Sequence, residues 1–171
     1  MTLVKPKAAP DRTSNARGPE RTLLLGLGND LLADDAIGLR VAAAVRQRLA
    51  AHQGIAVAQS TEMGLSLLDL IVGFETLILV DAVQTHQAPA GFIHEITGDD
   101  LKLLPAASPH FLGISEMLEL GRKLGLSVPK RVRIFAVEVQ DPFTVSTNLT
   151  PALTEALPGI VERVVAAVGS Y

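Results

Sequence analysis

The chain has 171 residues, enough for one domain that buries roughly two-thirds of its unfolded surface. A net charge of −3 and only 4% aromatic residues argue against nucleic-acid binding, which needs cationic surface for phosphates and rings for stacking bases. With no cysteine there is no disulfide, thiolate metal site or Cys nucleophile, and no apolar run reaches the ~18 residues of a membrane span. Residues 1–20 lack a signal-peptide core and read as a disordered lead-in, so residues 21–171 are expected to form a single α/β domain in the cytoplasm, away from membranes.

The apolar run Leu23-Leu24-Leu25 reads as a buried strand that stops at Gly26 and Gly28. These glycines suit a tight strand-to-loop turn with room for close approach to the backbone. A helix is expected from about Asp35 to Ala51, with Ile37, Val41, Ala44, Val45 and Leu49 on one face. Asp34 is placed to cap it, which leaves Asp35 to face outward. Ile55 to Ala58 is a short second strand, and Leu65, Leu68, Ile71 and Val72 stripe a second helix that Gly73 ends. Thr76 to Val80 is the most convincing central strand and runs directly into Asp81. Phe92 to Ile96 suits an edge strand. A helix follows Ser108-Pro109-His110 to about Leu124, with Ile114, Met117, Leu118 and Leu124 inward, and Val132 to Val137 is the last strand, ending in Glu138. Thr150-Pro151 starts the final helix, and Pro158-Gly159 is expected to kink or break it. Alternating strands and helices make a three-layer sandwich: a mostly parallel sheet flanked by helices, its edge strand open to antiparallel pairing. Ligands of such sheets gather at the carboxyl ends of the strands, near the topological switch point.

Three sites compete for that position. Gly26-x-Gly28 opens a helix as a dinucleotide loop does, but position 31 is Leu and the Asp34-Asp35 pair would repel a pyrophosphate. Asp35, Asp81 and His110 lie on three elements at the same end of the sheet. Two carboxylates and an imidazole suit a borderline divalent ion such as nickel, zinc or manganese. Each also has a plainer reading, as helix cap, strand terminus or cap of its own helix. Ser108 with His110 is a poor nucleophile pair, because no Gly-x-Ser-x-Gly elbow is present. His52, His86 and His94 sit in polar contexts and read as surface.

The stretch Gly26-Leu27-Gly28-Asn29-Asp30-Leu31-Leu32-Ala33-Asp34-Asp35-Ala36-Ile37-Gly38 resembles the opening motif of the hydrogenase maturation proteases. Further matches follow in order: Met63-Gly64 with Leu67-Leu68, then Leu79-Val80-Asp81-Ala82 with Pro89-Ala90-Gly91, then Ser108-Pro109-His110-Phe111-Leu112-Gly113. The resemblance runs from about Thr22 to Val168. It implies an endopeptidase that trims the C-terminus of a nickel–iron hydrogenase large-subunit precursor, with nickel supplied by that precursor. Asp35, Asp81 and His110 take the family's metal-binding positions. Either the metal polarises the scissile carbonyl and a bound water, or it only marks the loaded precursor while Asp35 or Asp81 acts as general base.

The chain departs from the family at Gln59-Ser60-Thr61-Glu62, where many members have Asp or Gly-Gly, and its Glu138-Val139-Gln140-Asp141 lies in a variable stretch. Both bear on substrate choice. A chaperone for the nickel-loaded precursor would need the same ligands. A peptidyl-tRNA hydrolase shares Gly-Leu-Gly-Asn, but the motifs that follow it there are absent here. A monomer is expected for a protease that must admit a large folded subunit.

Overall fold

The computed structural model describes residues 22–49, 54–62, 64–97 and 109–168, with backbone alone over 109–112. Strand β1 (Thr22–Leu27) leads through a 3-10 turn (Asp34–Ala36) into α1 (Ile37–Arg48), followed by β2 (Ile55–Ser60) and α2 (Leu65–Ile71). Then come β3 (Thr76–Val83), β4 (Ile93–Thr97), α3 (Pro109–Lys123), β5 (Arg131–Glu138) and α4 (Pro151–Val168). The lead-in, His52, Met63 and Ser108 lie outside the described residues.

The strands lie in the order β2-β1-β3-β5-β4. All neighbours are parallel except β4, which pairs antiparallel with β5 from Ile93 opposite Val137 to Thr97 opposite Arg133. The three-layer α/β expectation therefore holds, including its antiparallel edge. Alternation along each strand divides the core in two. Leu24, Ile78, Val80, Phe135 and Val137 pack under α1 and α4. Leu23, Leu25, Leu77, Leu79, Ile134 and Ala136 pack under α2 and α3. The chain leaves β1 in opposite directions on the two sides, so the switch point is the crevice between the carboxyl ends of β1 and β3.

Several local expectations give way. Strand β3 runs on through Asp81 to Val83, all of it buried, because pairing with β5 continues to Val83 opposite Glu138. Leu65 and Leu124 are 66% and 62% exposed, one at the first residue of α2 and the other just past the end of α3, where neither helix is covered. Helix α4 is unbroken at Pro158-Gly159. Proline deprives the carbonyl four residues back of its donor, and here Thr154 and Pro158 both lie on the exposed face, where that carbonyl is open to solvent.

Candidate active site

Two glycines bring the first acids to the switch point. Gly28 has φ +144°, and a Cβ there would overlap the Asp35 carbonyl oxygen. The loop can therefore fold back on the turn that carries Asp35. Gly38 lies against the carbonyl oxygens of Leu27 and Val80, with no space for a side chain. The start of α1 is thus seated on the carboxyl ends of β1 and β3.

Asp34 does not cap α1. It is fully buried, and its carboxylate reaches across the fold. Oδ2 accepts from the amides of Gln140 (3.1 Å) and Asp141 (3.0 Å) and the Thr150 hydroxyl (3.0 Å), while Oδ1 accepts from the Thr150 amide (2.7 Å). The capping expectation fails because these donors, brought by the segment from β5 to α4, saturate the carboxylate. Around it the two loops zip together: Ala33 donates to the Thr144 carbonyl, Ser146 to the Leu31 carbonyl, and Leu32 bridges Val145. Asp141 binds the amides of Phe143 and Thr144 through Oδ1. The Thr144 side chain and these amides hold its carboxyl below the usual range. Leu31, Phe143 and Val145 stand exposed on this rim.

Asp35 is half-buried in the turn next to β3. Asp81, on β3, is fully buried, and its Oδ1 accepts from the Ala82 amide at 2.9 Å. Alternation with Leu79 and Val83 directs Asp81 to the face under α2 and α3. His110 belongs to the first turn of α3, whose Ile114 and Leu118 cover that same face. Its side chain lies outside the described residues. Among the described residues no three His, Asp or Glu side chains gather as a metal-sized group. The fold thus brings the Asp35 turn and Asp81 to one crevice and starts the His110 helix over the face that Asp81 shares.

A third buried carboxylate, after Asp34 and Asp81, was legible only as a strand end. Glu138, 1% exposed, accepts from the Thr85 amide (2.8 Å), the Thr85 hydroxyl (2.6 Å), the His86 amide (2.9 Å) and His94 Nε2 (2.9 Å). Burial opposes its ionisation, yet hydrogen bonds from Thr85, His94 and His86 outweigh it and lower the pKa. His94 is therefore not a surface residue. It shares the strand face of Ile96, pairs with Glu138 and meets Phe92 edge-on at 4.9 Å. His86 is exposed, as expected, with φ 58° where the loop turns around Glu138.

Beside the Asp35 turn opens a cavity of about 500 Å³, lined by Asp30, Ala36, Arg40, Gln59, Thr61 and Thr147 among others. Arg40 is exposed on α1, and its guanidinium donates to the Thr147 carbonyl at 2.8 Å. Gln59 donates to the Leu39 carbonyl at 2.5 Å, fixing the cavity floor to α1.

A family model described as hydrogenase maturation protease matches residues 39–167. The chain is 29% identical over 149 residues to the hydrogenase 2 maturation protease of Escherichia coli K12, covering 86% of this chain and 90% of that one. Its structure resembles the hydrogenase maturating endopeptidase HybD of E. coli with a TM-score of 0.72 at 28% identity, over 88% of this chain and 93% of that one. The hydrogenase maturation protease HybD of Thermococcus kodakarensis, 20% identical, shares the fold at a TM-score of 0.65 over 84% and 96% of the two chains.

Proposed function

The chain belongs to the hydrogenase maturation protease family, and from that premise we propose that it removes the C-terminal extension of a nickel–iron hydrogenase large-subunit precursor once nickel is in place. The observation that carries the reading is the convergence of the Asp35 turn and Asp81 at the switch point between β1 and β3. The exposed Leu31, Phe143 and Val145 on the adjoining rim support a protein substrate over a small molecule. The proposed protease works as a monomer in the cytoplasm. No helix among the described residues is long and apolar enough to cross a membrane.

In this reading nickel arrives as part of the substrate. Asp35, Asp81 and His110 offer two carboxylates and an imidazole to its open positions, a donor set that suits a borderline divalent ion. Engaging the loaded precursor brings the scissile peptide to the crevice, so nickel acts as the recognition element. One of the two carboxylates takes a proton from water as its oxygen adds to the scissile carbonyl carbon. The C–N bond then breaks, and the proton passes to the leaving amine.

The test is cleavage of nickel-loaded and nickel-free precursor, read by mass, with wild type beside Asp81→Asn and His110→Ala. Loss of the C-terminal peptide with wild type alone, and only with nickel, is expected. Cleavage that persists in both variants would sink the three-residue site. Tight precursor binding without cleavage by wild type would replace the protease with a chaperone.

A further inference from the structure

Resting on the protease reading, we propose that the cavity between α1 and the end of β2 is a specificity subsite that receives a carboxylate of the precursor's C-terminal segment. It adjoins the candidate catalytic turn, since Ala36 in its wall follows Asp35 in the chain. Its volume, about 500 Å³, admits a short stretch of extended peptide.

The wall is polar and its charges are divided. Arg40 supplies a guanidinium, and Asp30, on the loop that leaves β1, supplies a carboxylate. Among the described residues no carboxylate pairs with Arg40. One of its five N–H donors is committed to the Thr147 carbonyl, which holds the planar group in a set orientation with donors left for an oxyanion. A carboxylate is the group that such a fork recognises with two parallel bonds. Gln59 and Thr61, in the same wall, belong to the stretch where this chain departs from the family pattern. A cavity that combines an oriented cation, a position beside the reacting acids and chain-specific residues is placed to choose among precursors.

The carboxylate has two possible sources, an acidic side chain or the chain terminus, and the experiment separates them. Steady-state cleavage of nickel-loaded precursor is measured for wild type, Arg40→Gln, Arg40→Lys and Ala43→Phe, with precursor affinity measured in parallel. Ala43 also lines the cavity, about one helical turn beyond Arg40 on α1, so phenylalanine there fills space in it while leaving the guanidinium in place. Arg40→Gln and Ala43→Phe are each expected to raise KM roughly three- to tenfold with kcat little changed, as loss of one charge-assisted pair brings. Arg40→Lys recovers part of the loss. Precursors with single Glu or Asp side chains of the extension converted to amides, or with an amidated terminus, identify the source. The one that matters raises KM for wild type and has no further effect on Arg40→Gln.

An unchanged KM in both Arg40→Gln and Ala43→Phe overturns the subsite, as does a loss confined to kcat or an additive loss with every altered precursor. Failure of wild type to cleave refutes the protease reading instead, and the affinities then decide the subsite alone.

Discussion

Asp34→Asn separates two adjacent acids that the sequence presents alike. The carboxylate accepts four hydrogen bonds from Gln140, Asp141 and Thr150. An asparagine can keep its oxygen at the Oδ2 position, but its NH₂ then faces the Thr150 amide, a donor against a donor. One charge-assisted bond is lost, roughly 2 kcal/mol, and three fall to neutral strength at about 0.5 kcal/mol each. The amide recovers part of the cost of burying a charge, which leaves a net loss of about 2–3 kcal/mol. Against a typical stability of about 5–15 kcal/mol the variant still folds. With a urea m-value of about 2 kcal/mol/M, the midpoint falls by roughly 1–1.5 M at unchanged m. Precursor cleavage per folded molecule is expected to stay within a few-fold of wild type. A midpoint shift under about 0.5 M would refute the stabilising role. Near-complete loss of cleavage at wild-type stability would place Asp34 in the chemistry.

Asp35→Asn should reverse that pattern, with cleavage abolished and a midpoint shift smaller than that of Asp34→Asn. Glu138 has a pKa below its ordinary value of 4.5, so the stability it contributes is complete above about pH 4.5 and drains as pH falls through the lower folded value. Glu138→Gln should flatten that acid arm in unfolding curves taken from pH 3 to 6, and an arm as steep as wild type's would count against the linkage. Gly38→Ala forces a Cβ into two backbone carbonyls and should lower Tm by several degrees while weakening cleavage. Pro158→Ala restores an amide donor within α4 and should raise stability by about 1 kcal/mol in urea melts.

The layers and the sheet were legible because Leu23 to Leu25 and Leu77 to Val80 are unbroken aliphatic runs, and only a sheet covered on both faces buries such runs whole. Asp35 and Asp81 stood out as acids following the apolar runs of β1 and β3, although Asp81 lies two residues inside β3 and Asp35 in the turn before α1. The reach of Asp34 was not, since its donors lie more than a hundred residues away and no local pattern announces them. His94 was misread from its polar neighbours, although its two-residue spacing from Ile96 already sets both on one face of the strand. Glu138 was noticed, but its partners at Thr85 and His86 depend on a loop conformation that only the folded chain defines.

The long reach of Asp34 bears on when a protease of this kind becomes active. A ribosome delivers β1 and the Asp35 turn early and Thr150 near the end, and the bond from Thr150 to Asp34 spans 116 positions. Until that stretch has emerged, the loops framing the crevice have nothing to close on, and contacts of such separation form late in folding. A nascent or C-terminally truncated chain therefore carries its acids without the frame that holds them. The crevice is fully framed only once the whole domain has been made.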